Sequence, residues 1–424
     1  MSYTFSTAND FDKLETAVTA LYGKEEAAEQ ILRYRTLLRR LEETFGGGET
    51  AAVFSAPGRT EIGGNHTDHQ HGKVLAGSVN LDVIAAVAPN GDDCIRIQSE
   101  GFPMDVVDLS DLRVRDEERN TSAAIIRGIA SWFAQRGCKI QGFNAYTTSN
   151  VLKGSGLSSS AAFEVLVGNI INDLFYDSKC DAVQLAQIGQ YAENVYFGKP
   201  SGLLDQMASS VGAMVTMDFA DNVSPVVERV DFDFAATGHA LCIVDSGADH
   251  ADLTDEYAAV TRELREICAY FGKSVLREVD EAVFYEALPF LRRKAGDRAV
   301  LRAIHVYEDN RRVSEQVAAL RRGDFDAFLR LITESGLSSW RFLQNVVPAG
   351  YTHHQEVAVA LTMCERLLGG RGACRVHGGG FAGTIQAFVP LDLLDHFKAE
   401  MERVLGSGSC HVLTIRPVGG VRLV

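Results

Sequence analysis

Between residues 10 and 45, Leu14, Val18, Leu21, Tyr22, Ile31, Leu32, Tyr34, Leu37, Leu38 and Leu41 recur at three- and four-residue spacings. That period predicts amphipathic helix, and Gly46-Gly47-Gly48 ends it. Ala51-Ala52-Val53-Phe54-Ser55 reads as a short strand entering a glycine-rich run over 56–72. β-Branched content predicts strands over 74–87 and 94–98, and a helix fits 123–136. A strand over 143–151, a small-residue loop over 154–160 and a helix over 161–175 follow, with Ala162, Val165, Leu166 and Ile170 on one helical face. Helices also fit 181–196 and 203–209, separated by the turn Gly198-Lys199-Pro200-Ser201-Gly202. Beyond a boundary near Asp221-Asn222 come a strand over 240–244 and helices over 255–271, 298–321, 325–335 and 356–368. A glycine-rich turn at 377–383, a strand over 384–389, a helix over 391–405 and a strand over 411–415 complete the pattern. The fold class is α+β, without internal repeats.

The 424 residues include 41 Lys or Arg against 56 Asp or Glu, a net charge of −15. Such a balance opposes broad nucleic-acid binding, which needs a basic surface. With 46% hydrophobic and 23% charged residues the chain is an ordinary globule, long enough at about 150 residues per domain for two or three domains. Its eight cysteines form no CxxC pair and read as buried thiols of a reducing compartment. No basic leader precedes an apolar run, and no stretch of about 18 apolar residues occurs. The expectation is a cytoplasmic protein without membrane or nucleic-acid partners.

Three small-residue segments carry the candidate chemistry. Gly154-Ser155-Gly156-Leu157-Ser158-Ser159-Ser160 stands just before a helix. Glycines let backbone approach an anion, free N–H groups at the helix start attract it, and hydroxyls can ligate magnesium. It is neither the Walker pattern nor a full GxGxxG, and simple helix capping accounts for it equally well. The second run, from Ala56 to Gly72, gathers Arg59, Asn65, His66, Asp68, His69 and His71. His66, Asp68, His69 and His71 suit a metal cluster; equally, the run suits a loop that binds sugar hydroxyls, with Arg59 facing a phosphoryl group. The third, His377-Gly378-Gly379-Gly380-Phe381-Ala382-Gly383, is on its own a tight turn.

Together the three runs resemble the motifs of the GHMP kinases, in that family's order and over nearly the whole chain. Pro57-Gly58-Arg59 to Asp68 is similar to the GRxxxIGEHTDY signature of its galactokinase branch, Gly154 to Ala162 to the GLSSSAA phosphate loop, and His377 to Gly383 to GGGFGG. The resemblance implies a two-domain fold, with an S5-like N-terminal domain at 1–221, a ferredoxin-like C-terminal domain at 222–424 and the active site in the cleft between them. It implies ATP-dependent phosphorylation of the anomeric hydroxyl of D-galactose. Ser201-Gly202-Leu203-Leu204-Asp205-Gln206 resembles CGIMDQ, which makes Asp205 the implied base and Arg59 its electrostatic partner. The implied sugar contacts are Arg59, Asn65, His66, Asp68, Gly202, Asp205 and Tyr257, the last because Asp255-Glu256-Tyr257 resembles SEY. Gly154 to Ser160 would bind ATP, and Ser160 with Glu193 would hold Mg2+.

Asn65 departs from the signature, standing where the branch carries a glutamate thought to contact the sugar 6-hydroxyl. Losing that charge raises galacturonate or another sugar as the substrate. Ser122 stands near a family tryptophan that flanks the adenine, Ala382 replaces a glycine, and 345–350 replaces the segment SCPELD. A zinc hydrolase built on the histidines and a catalytically silent sugar sensor are the competing classes. Retention of Arg59, Asp205, Ser160 and Glu193 opposes the sensor. A monomer is compatible with the sequence.

Overall fold

The computed structural model describes residues 8–46, 51–152, 156–248 and 253–424. Gly47, Gly48, Gly154 and Ser155 lie outside them. In the first half, α1 (Ala8–Phe45) precedes β1 (Ala52–Gly63), β2 (Lys73–Pro89), β3 (Cys94–Ser99), β4 (Asp105–Asp108), α2 (Ser122–Ala134) and β5 (Phe143–Ser149). Then come α3 (Ser159–Phe175), α4 (Ala182–Tyr191), α5 (Leu204–Val211), β6 (Met214–Asp218) and β7 (Val226–Arg229). The second half holds β8 (His239–Asp245), α6 (Thr254–Tyr270), α7 (Glu281–Lys294), α8 (Asp297–Arg321), α9 (Phe325–Ser338) and α10 (Glu356–Leu368). It ends with β9 (Ala373–Val376), β10 (Thr384–Pro390), α11 (Leu394–Leu405), β11 (Cys410–Leu413) and β12 (Val421–Arg422).

Two sheets result, which is the expected α+β architecture. The first has the order β12-β1-β2-β5-β3-β4, with β6 pairing β2 and β7 pairing β6; the second is β11-β8-β10-β9. β3 and β5 run parallel while the second sheet is wholly antiparallel. β7 and β12, both beyond residue 221, belong to the first sheet, so the chain returns to its N-terminal half at the end.

The expected short strand near 51–55 is longer than its composition suggests. β1 extends to Gly63 and is buried throughout, shifting register against β2 between Pro57 and Arg59 and between Glu61 and Gly63. Irregularities of this kind let proline and glycine sit inside a strand and re-aim its side chains. Between the two shifts Arg59, Thr60 and Glu61 pair regularly with Ser78, Gly77 and Ala76, so Arg59 and Glu61 share a face.

α1 covers one face of the first sheet with Leu14, Val18, Tyr34, Leu37 and Leu41. It is also pinned by charge. Asp82 of β2 is fully buried and receives Arg33 Nη1 at 2.5 Å and Arg416 Nη1 at 3.0 Å, with Tyr22 and Ser55 hydroxyls also donating to it. Burial pushes the Asp82 carboxyl up, but the two arginines and two hydroxyls outweigh it and hold it below its ordinary value.

Candidate active site

β1 delivers Arg59, and the turn before α3 together with the start of α5 delivers its partners. Arg59 Nε and Nη2 donate to Asp205 Oδ1 at 2.7 and 2.6 Å, and Nη1 donates to the Gly156 carbonyl. Ser158, left-handed at φ +55°, donates its hydroxyl to Asp205 Oδ2. Partial withdrawal from water raises the Asp205 carboxyl, yet Arg59 and Ser158 together keep it below its ordinary value. It is therefore an ionised acceptor at neutral pH. Gly156 permits the close approach: a Cβ there would lie 3.1 Å from His377 Nδ1 at a φ of +70°.

Arg59 and Asp205 line a cavity of about 300 Å³ together with Glu61, His66, Asp68, His69 and Gly202, closed from the second half by Gly378 and Gly379. His66 Nε2 meets the Gly379 carbonyl at 2.9 Å. A carbonyl only accepts, so Nε2 carries the proton; burial lowers the imidazole pKa to about 4, leaving Nδ1 a bare acceptor. Gly202 touches Asp68, since a Cβ on it would stand 2.4 Å from Asp68 Oδ2. The histidines diverge: His71 turns to Asn222 at 2.8 Å while His66 holds Gly379. Among the described residues no three His, Cys, Asp or Glu side chains converge on a metal position, which removes the basis for a zinc hydrolase.

A second cavity, of about 320 Å³, adjoins the first and is lined largely by apolar groups, including Val83, Phe102, Ile125, Phe163 and Phe197. Ser160 and Glu193 line both cavities. Glu193 follows α4 on a π-helical turn at Ala192–Phe197, and its Oε1 lies 3.3 Å from Lys199 Nζ. Gln206 Nε2 donates at 2.9 Å to both Glu193 and Glu164. Burial, reinforced by Glu193, raises the Glu164 carboxyl well above its ordinary value. Ser122 sits in the wall of this second cavity, whereas Trp132 packs under Arg136 elsewhere.

Two expected sugar contacts do not line the first cavity. Tyr257 donates to the Gly380 carbonyl at 2.8 Å and its ring lies behind Gly379. Asn65 is fully buried: its amide donates to Glu61 Oε1 at 3.0 Å and Gly378 O at 2.6 Å, and accepts from Ser339 at 3.2 Å and Asn345 at 2.8 Å. Glu61, which faces the cavity instead, was not singled out from the sequence. Recognising 56–63 as strand would have found it, because alternation places it on the same face as Arg59. Burial lifts its carboxyl above the ordinary value against the pull of Arg375 and Arg59.

A fold with two sheets and two joined cavities, one polar and one largely apolar, has counterparts among small-molecule kinases. Residues 124–213 match the model of the GHMP kinases N terminal domain, and residues 39–89 match that of the galactokinase galactose-binding signature. A mevalonate kinase structure superposes with a TM-score of 0.60 at 12% identity, covering 86% of this chain and 99% of that one, a likeness of fold alone. The structure of Lactococcus lactis galactokinase complexed with galactose superposes with a TM-score of 0.77 at 25% identity, covering 92% of this chain and 99% of that one. In sequence, the galactokinase of Streptomyces coelicolor is 31% identical over 82% of this chain and 87% of its own length. That of Actinobacillus pleuropneumoniae is 29% identical over 85% and 90%. The chain belongs to the galactokinase family of the GHMP kinases.

Proposed function

We propose that the protein transfers the γ-phosphoryl group of Mg-ATP to the anomeric hydroxyl of D-galactose, giving α-D-galactose 1-phosphate. The observation that carries this reading is the Arg59–Asp205–Ser158 cluster at the meeting of a polar and an apolar cavity. Galactose occupies the first cavity against His66, Asp68 and Gly202, and the nucleotide base occupies the second, with its phosphates reaching the start of α3. Asp205 takes the proton from the sugar O1 as O1 bonds to the γ-phosphorus and the bond to the β-phosphate oxygen breaks, releasing ADP. Arg59 both keeps Asp205 ionised and offsets charge gathering on the phosphoryl oxygens.

Ser160 and Glu193 offer a hydroxyl and a carboxylate, the hard oxygen donors that magnesium favours, and they stand where the two cavities join. These two residues would hold Mg2+, which when bound neutralises phosphate charge. Gln206 fixes the Glu193 carboxylate in place. We assign residues 1–221, together with β7 and β12 from beyond residue 221, to the first domain and the rest of 222–424 to the second, with Gly378 and Gly379 bringing the second to the cleft. The free thiols, all but Cys94 buried, accord with the cytoplasm.

ADP release from Mg-ATP with galactose, galacturonate, galactosamine, arabinose and glucose tests the reading. Turnover is expected with galactose first. Turnover with another sugar alone would replace the substrate, and none with any would favour the silent sensor.

A further inference from the structure

Arg59 and Glu61 stand two residues apart on β1, on one face of the strand and about 7 Å apart. Both line the sugar cavity. If O1 of the hexose meets Asp205 beside Arg59, Glu61 falls roughly one sugar ring farther along. Its Oε1 is taken: Arg375 Nη2 donates at 2.6 Å and Asn65 Nδ2 at 3.0 Å. Its Oε2 receives no hydrogen bond from the described residues, and it is not sealed from solvent either. A carboxylate offers about four acceptor sites, and this oxygen keeps its pair for whatever enters the cavity.

The surroundings fix that pose. Arg375 is fully buried and uses all three guanidinium nitrogens, on Glu61, the Ile62 carbonyl at 2.8 Å and the Val376 carbonyl at 3.0 Å. Asn65 has both amide protons and both carbonyl lone pairs engaged with protein groups, so it has nothing left for a ligand.

We propose that Glu61 is the sugar-binding carboxylate of this cavity, its Oε2 accepting a hydrogen bond from a hydroxyl at the end of the hexose remote from C1, with Arg375 and Asn65 as its positioning residues. The inference rests on the sugar 1-kinase reading and deepens it. Two consequences follow for specificity. A hexose lacking that hydroxyl leaves a desolvated carboxylate oxygen unpaired, which is costly. A sugar carrying a carboxylate there meets the carboxylates of Glu61 and Asp68, while Arg375 is fully buried behind Glu61 and does not line the cavity. The amide at 65 therefore does not open the site to galacturonate.

The test compares kcat/KM for galactose with that for 4-deoxygalactose, 6-deoxygalactose and galacturonate, in the native enzyme and in Glu61→Gln. The native enzyme should favour galactose over one of the deoxy sugars by a hundred-fold or more and leave galacturonate untouched. Glu61→Gln should cut kcat/KM for galactose about ten- to hundred-fold through the sugar KM, with KM for ATP unchanged, and shrink the preference over that deoxy sugar by a similar factor. The preference is a ratio within one preparation, so a partly unfolded variant cannot mimic the result. An unchanged ratio for both deoxy sugars, or native turnover of galacturonate, would overturn the role of Glu61. Native turnover of another neutral hexose in place of galactose would overturn the galactose reading alone, and Glu61 would then be scored with the deoxy analogues of that hexose.

Discussion

Replacing Asp205 with asparagine separates catalysis from architecture at this site. The amide keeps Oδ1, so Arg59 Nε and Nη2 can still donate where they now sit 2.7 and 2.6 Å from the carboxylate. Only the Ser158 side conflicts, because an amide nitrogen cannot accept the hydroxyl that now donates to Oδ2. Lost hydrogen bonding costs about 1–2 kcal/mol of stability. The ion pair adds little to that figure, since the Asp205 side chain is 37% exposed and screened. The chemical step suffers far more: removing a positioned base lowers kcat by about 10²–10⁴, or about 3–5 kcal/mol on the barrier. Steady-state and single-turnover assays with Mg-ATP and galactose read that loss, while calorimetric titration should find sugar binding within about three-fold of native. The pH profile adds a second check. Asp205 acts ionised and its folded pKa is depressed, so native kcat/KM for galactose should stay level down through the ordinary carboxylate range and fall only below it; the variant should lack that limb. A variant retaining more than a tenth of native kcat would refute the assignment of the base.

Other consequences are more local. Gly202→Ala puts a methyl 2.4 Å from Asp68 Oδ2, and turning that carboxylate away from the sugar hydroxyl it is proposed to bind costs about 1–3 kcal/mol; KM for galactose should rise about five- to hundred-fold while KM for ATP stays put, and equal changes in both would point to general disruption. Asp82→Asn strips Arg416, whose side chain is fully buried, of its counter-charge, so urea unfolding should show a loss of about 3–5 kcal/mol. Because the folded pKa of Asp82 is depressed, its contribution is present above the unfolded value of about 3.9 and disappears as pH falls through the folded one. Native and variant stabilities should thus converge in acid, and parallel curves would contradict that origin.

Much of the fold was legible because its long helices keep a regular period. Leu14, Val18, Leu37 and Leu41 are buried, as their spacing predicts. β1 was harder to read. Pro57-Gly58 and Gly63-Gly64 carry the composition of a loop, and only pairing with β2 across two register shifts keeps most of that stretch in the sheet. α7 was missed because Pro289 interrupts it and few of its residues are buried. At the site, Arg59 and Asp205 meet as the motifs implied. Strand alternation puts Glu61 on the Arg59 face, but the burial of Asn65 and the pose of Glu61 depend on Ser339, Asn345 and Arg375, which lie some 270 to 315 residues away in sequence. Tyr257 resembles a family residue in sequence but is held one layer back by its bond to Gly380.

The central claim is the site of phosphorylation, and NMR of the product tests it most directly. Incubation with Mg-ATP and galactose should yield one sugar phosphate whose phosphorus couples to the anomeric proton, with the small ring coupling of the α configuration and one ADP formed per sugar consumed. Phosphate on any other carbon, or ADP formed without a sugar phosphate, would contradict the account.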